Sequence, residues 1–137
     1  MNEPTVPVHE EPRHRLVYES PGLRILDVRI PPGDVTLFHS HDNPTLYVTV
    51  QDAIVASQRP GEAWEHRSQP RVLGEVTDRC DYFTDPLVHR VRNDGTDLFH
   101  LIAVVNTDAG EQGLVTIPDA ELANRWFVVR RLSLIHI

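Results

Sequence analysis

The chain of 137 residues has a single cysteine, Cys80. One thiol cannot close an intramolecular disulfide, and it cannot build a cysteine-based zinc cluster. Basic residues are also scarce: 13 Lys and Arg stand against 20 Asp and Glu, for a net charge of -7. A surface of that sign has little with which to displace counterions from phosphate, so no nucleic-acid partner is expected. Long apolar runs are missing too. The stretch "LIAVV" at 101–105 is among the longest, far below the roughly 20 residues that cross a bilayer as a helix. No membrane partner is expected. The opening "MNEPTVPVHEEPR" lacks the basic start and apolar run of a signal peptide, and a cytoplasmic location is the expectation. A Gly-rich phosphate loop and a Gly-x-Ser-x-Gly nucleophile elbow are absent as well.

What is present reads as one globular domain, with 40% hydrophobic and 24% charged residues. Short alternating or β-branched runs recur, among them "LRILDVRI", "VTLFHSH", "TLYVTV", "AIVASQ", "RVLGEVT", "LVHRVRN" and "LFHLIAVVN". Turn signals separate them: Ser20-Pro21-Gly22, Pro31-Pro32-Gly33-Asp34, Pro60-Gly61, Asn93-Asp94-Gly95 and Asp108-Ala109-Gly110. Many short strands punctuated in this way predict an all-β sandwich or barrel. Residues 1–13, rich in Pro and Glu, read as an N-terminal arm, and 14–131 as the single domain. Only "IPDAELANRW" (117–126) looks helical, with Asp119 as its cap. The last six residues, "LSLIHI", read as the translation of a transposon-end sequencing adapter. Residues 132–137 are therefore expected to be non-native, His136 is set aside, and the genomic DNA beyond Arg131 decides the matter.

The stretch "LFHSHDNPTLYVTV" carries chemistry. On a strand, residues two apart share a face. His39 and His41 then stand roughly 6.5–7 Å apart at Cα, close enough for both imidazoles to reach one ion. The same parity adds Thr45 and Tyr47. A third ligand must come from elsewhere, and "PLVHRVRNDG" offers His89 on a later strand.

These residues resemble a known family. Gly33, five residues, His39, one residue, His41, three residues and Thr45 match the first cupin motif; His89 with Asn93 four later matches the end of the second. The likeness covers roughly Arg15 to Asn106. Three departures stand out. The family's usual glutamate is Thr45, the closing glycine of the first motif is Asp52, and Asp85-Pro86-Leu87 precedes His89 without the second motif's glycine. The resemblance implies a small cupin-type β-barrel (jelly roll), a metal held by His39, His41 and His89, and a homodimer. It also implies a metal-dependent oxidoreductase, a dioxygenase or oxidase, acting on a small organic or carbohydrate-derived substrate. The alternatives are a redox-neutral isomerase, lyase or hydrolase, and a non-catalytic sugar-binding cupin.

Three neutral imidazoles leave a divalent ion its full charge, which favours an anionic co-ligand. Imidazole suits Fe, Cu, Zn or Ni; the resemblance favours iron or copper and allows zinc, nickel or manganese. Tyr47 is the candidate catalytic side chain, placed to orient substrate, against a plain wall residue. Thr45 reads as filling, Asn93 as a turn residue, and His100 as a reserve ligand. Trp64 either stacks on a ligand or covers the barrel mouth, and His66 falls on an exposed loop. His9 and His14 in "HEEPRH" do not form a zinc-protease pair, because their spacing is five and Pro12 breaks any helix.

Overall fold

The computed structural model describes residues 3–66 and 68–108. The helix expected at 117–126, Trp126 and the tail at 132–137 lie outside the described residues. Among the described residues ten strands follow in order: β1 (Thr5–Pro7), β2 (His14–Ser20), β3 (Leu23–Ile30), β4 (Phe38–His41), β5 (Thr45–Thr49), β6 (Ala53–Gln58), β7 (Gln69–Arg71), β8 (Val76–Arg79), β9 (Leu87–Asn93) and β10 (Phe99–Asn106). Two five-stranded sheets result, ordered β1-β4-β9-β6-β7 and β2-β3-β10-β5-β8. The all-β jelly roll expected from the sequence is what forms. Among the described residues, no helix is long and apolar enough to cross a membrane.

Alternation dictates which side of each strand meets the core. In β10, Phe99, Leu101, Ala103 and Val105 are buried, while the residues between them are less so. In β3, Leu26, Val28 and Ile30 do the same, and the two strands pair antiparallel along their full length. Ala53 and Val55 of β6 close the cluster from the other sheet. Truncating one of its large members, Leu26→Ala for instance, costs about 2–5 kcal/mol.

Two departures from the sequence reading affect the architecture. "RVLGEVT" is not one strand. The chain turns at Gly74, with φ of +84°, so Arg71 ends a strand of one sheet and Val76 begins a strand of the other. Thr5–Pro7, inside the segment read as an arm, pairs in parallel with β4, Val6 opposite His39.

Gly33 and Asn93 stitch β9 to the approach to β4. Gly33 has φ of +78°, and Asp34 N–H donates to the Pro31 carbonyl at 3.0 Å, which makes Pro31–Asp34 a type II turn with glycine where one is required. The Gly33 N–H donates to the Asn93 carbonyl at 2.8 Å. Asn93 is buried; its amide donates to the carbonyls of Ile30 and Asp97, and its side-chain oxygen accepts from Gly95 N–H at 2.9 Å. It is the turn residue it was expected to be, not a ligand.

Candidate metal centre

In β4, His39 and His41 are both buried and face the interior together. β9 runs antiparallel to β4 with His89 directly opposite His39. Residues opposite one another in such a pair share a face, so register alone gathers three histidines from two distant segments. Their ring centroids form a nearly equilateral triangle of 4.8, 4.8 and 5.0 Å. One ring nitrogen from each lies within 4.8 Å of the others. Nε2 of His41 and Nε2 of His89 are 3.0 Å apart. Two nitrogens each about 2.1 Å from one ion, at a right angle, stand about 3.0 Å apart.

The outer nitrogen of each ring is engaged. His39 Nδ1 donates to the Leu37 carbonyl at 2.8 Å. A carbonyl only accepts, so Nδ1 carries the proton and Nε2 keeps its lone pair. His89 Nδ1 meets Ser57 Oγ at 2.7 Å, and His41 Nδ1 meets the Tyr47 hydroxyl at 3.3 Å. Such partners fix ring orientation and tautomer in metal sites. Nε2 of His39 is the decisive atom: it is buried and, among the described residues, has no hydrogen-bond partner. A stranded polar atom of this kind costs about 1–3 kcal/mol. A metal ion would satisfy it.

Electrostatics keep the rings neutral. Burial, then the neighbouring His14, pulls the pKa of His39 down from 6.5 to about 4. Burial also holds His41 and His89 well below the ordinary value, with His89 adding to the effect on His41 and His39 to that on His89. Neutral imidazoles are the form that ligates.

A cavity of about 320 Å³ lies beside two corners of this triangle, His41 and His89. His14, His41, Tyr47, Arg71, Arg79 and His89 border it on the polar side, and Val28, Ile30, Val55, Phe99 and Leu101 on the apolar side. Tyr47 lines the cavity as its parity suggests, but its hydroxyl sits between His41 and the Tyr82 hydroxyl, 3.1 Å away. Burial and Tyr82 push its pKa well above 10, so it stays a phenol. Thr45 is buried, and its hydroxyl donates to the Asn43 carbonyl at 3.0 Å; it borders a separate, smaller cavity and does not replace the missing acid.

His100 is no reserve ligand. It lies on the opposite parity of β10 and its Nε2 meets Asp27 Oδ1 at 2.7 Å. Trp64 packs with the guanidinium groups of Arg90 and Arg92, at 5.2 and 4.3 Å from its ring, rather than over the cavity. His66 is exposed, as expected. Sequence reasoning missed Ser57, Tyr82, Glu11 and His14. Tyr82, in a 3-10 turn at Cys80–Phe83, stacks on His41 with centroids 4.8 Å apart, and Arg79 covers its ring at 4.4 Å.

No family model and no curated protein matches this sequence. Solved structures do. A cupin domain from Bordetella pertussis Tohama I superposes with a TM-score of 0.58 at 16% identity, covering 68% of this chain and 90% of that one. The fold is the cupin fold. A conserved protein with a double-stranded β-helix domain from Klebsiella pneumoniae (TM-score 0.49, 16% identity, 73% and 80% covered) is also similar. So is a Cupin 2 conserved barrel domain protein from Salinispora arenicola (0.44, 17%, 66% and 71%). At such identities the likeness concerns the cupin barrel alone. The chemistry of the centre rests on this chain's own side chains, whose donor set suits a divalent transition metal.

Proposed function

We propose that the protein holds one divalent transition metal, iron or copper in preference to zinc, nickel or manganese, through His39, His41 and His89. It would use that metal to oxidise a small anionic organic molecule with dioxygen. The observation that carries this reading is the stranded Nε2 of His39, one corner of a triangle of neutral imidazoles whose other two corners border a cavity. When bound, the metal supplies open coordination positions and electron-transfer chemistry at a site that adds no anionic ligand of its own.

The chain's own residues would do the rest. Arg71 and Arg79 border the cavity and favour a carboxylate or enolate. The apolar wall from Val28 to Leu101 limits water around the reacting atoms. Tyr47 would hold His41 in place and keep a phenolic proton beside the site. Pairing into a homodimer belongs to the same proposal; the exposed Leu16, Val17 and Tyr18 on the edge strand β2 favour it.

The test is metal analysis of protein purified without added metal, followed by oxygen uptake with diketones, phenols, thiols and short-chain acids. Near-stoichiometric iron or copper, lost in His39→Ala and His89→Ala, with oxygen consumed on one substrate class, is the expected result. A chain that neither carries nor rebinds metal overturns the reading. Metal-dependent turnover without oxygen uptake overturns its oxidative part.

A further inference from the structure

We propose that His14, held by Glu11, is a fourth nitrogen ligand of the metal bound at His39, His41 and His89. The pair would thereby supply, from outside both histidine motifs, what Thr45 does not. This inference rests on the metal reading above and extends it.

The geometry begins with placement. His14 opens β2, in the sheet facing β4, and is buried. Its ring centroid lies 4.5 Å from that of His39 and 6.4 Å from that of His41. It flanks the tight three-nitrogen cluster on the His39 side and borders the same cavity as His41 and His89. Three histidines leave coordination positions open, and among the described residues no other histidine borders that cavity.

The hydrogen bonding then selects the nitrogen. His14 Nδ1 meets Glu11 Oε1 at 3.1 Å. An ionised carboxylate only accepts, so Nδ1 carries a proton, and in the neutral ring that ligation requires, Nε2 is the nitrogen left for a metal. Among the described residues nothing hydrogen-bonds that Nε2. His39 and His14 are therefore the two rings whose tautomers are fixed by an obligate acceptor. A carboxylate behind a ligating histidine also raises its basicity.

Glu11 connects both rings. Its side chain is fully buried, and Oε2 accepts the Leu37 N–H at 2.9 Å. The Leu37 carbonyl is the acceptor for His39 Nδ1. One carboxylate thus braces His14 directly and His39 through a single residue, Leu37. Arg13 bonds both Glu11 and Asp34, so the three charges sum to -1 beside the site. The charge that a glutamate at Thr45 would have brought to the metal is present one bond further out. Both Glu11 oxygens already accept N–H groups from Arg13 or Leu37, and Oε1 takes His14 in addition.

The experiment uses the full chain loaded with Cu(II), with pulsed electron paramagnetic resonance to count coupled imidazoles and chelator competition to measure affinity. Four imidazoles are expected on the wild type. His14→Ala should bind more than about tenfold more weakly, with an altered spectrum that added imidazole restores, and Glu11→Gln, which removes the carboxylate behind that ligand, should weaken binding about tenfold. The count on the wild type needs no variant to fold. Three coupled imidazoles, or a His14→Ala chain with wild-type spectrum and affinity within about twofold, overturns the inference and leaves the three-histidine reading standing. A wild-type chain that binds no metal overturns both.

Discussion

Two histidine–carboxylate pairs sit on opposite sides of the same sheet. His14 with Glu11 faces the cavity; His100 with Asp27 faces away from the core. The chemical parts are alike and the surroundings differ. The Glu11 side chain is fully buried and takes four hydrogen bonds, whereas Asp27 keeps 15% of its side-chain surface exposed. In the outer pair, Asp27 occupies Nε2, the nitrogen that the inner pair leaves free. Strand parity decides which imidazole meets the cavity, and the choice of engaged nitrogen decides whether it can do anything there. The outer pair is a hydrogen-bonded ornament on a sheet; the inner one is a prepared donor.

The strongest break between the two faces comes from the metal itself. His39→Ala removes one of three convergent nitrogens, and His89→Ala another. Either should lower metal affinity by well over the 10–100-fold assigned to outer partners, measured by chelator competition. Retained affinity in both would mean that the triangle is structural.

Removing the inner carboxylate should be the next largest effect. Glu11→Ala strands the N–H groups of Arg13 and Leu37 and leaves the Arg13 guanidinium with Asp34 alone. Breaking one side of a buried ionic network costs about 3–5 kcal/mol, read by urea denaturation. A cost below about 1 kcal/mol would place Glu11 in the same class as its outer counterpart.

Much of the inner face was legible in the sequence, and the part that was not has a physical reason. His39 and His41 were readable because strand period is local: residues two apart must share a face. His89 was readable through a motif spacing, and register then set it opposite His39. Gly33 and Asn93 announced themselves as a positive-φ glycine and a turn amide. His14 and Glu11 were not readable. Their segment has a proline between them and no period, and their role depends on β2 docking across from β4. Ser57 and Tyr82 escaped for the same cause: each reaches a histidine more than 30 residues away in sequence. The break within "RVLGEVT" was marked only by Gly74, a residue that a strand interior can also hold.

Acid sharpens the contrast further. The folded pKa of His39 is about 4 and its ordinary value 6.5. Between those values the unfolded chain binds the proton and the folded chain does not, so stability is full above pH 6.5 and falls as pH drops toward 4. A shift of that size corresponds to about 3 kcal/mol. For Glu11, burial alone would raise the pKa, but hydrogen bonds from His14, Leu37 and Arg13 lower it to about 2. Its contribution is therefore present above about pH 4.5 and lost only as pH falls toward 2. Urea unfolding in chelator should show a first loss between pH 6.5 and 4, smaller in His39→Gln, and a second loss below it, reduced in Glu11→Gln. Stability that stays flat from pH 7 to 4 would contradict the neutral, buried triangle.

The smallest effect belongs to the outer pair, and it completes the comparison. Asp27 and His100 share one hydrogen bond, with Arg29 adding a second partner to Asp27. Both side chains are partly exposed, so water can replace what a substitution removes. Asp27→Asn or His100→Ala should cost about 1 kcal/mol or less and leave metal affinity within about twofold of the wild type. If either variant weakens the metal as strongly as Glu11→Gln, coupling runs through the sheet, and parity no longer separates donor from ornament. If both leave it untouched while Glu11→Gln does not, a carboxylate beside a histidine matters to the metal only on the face that meets the cavity.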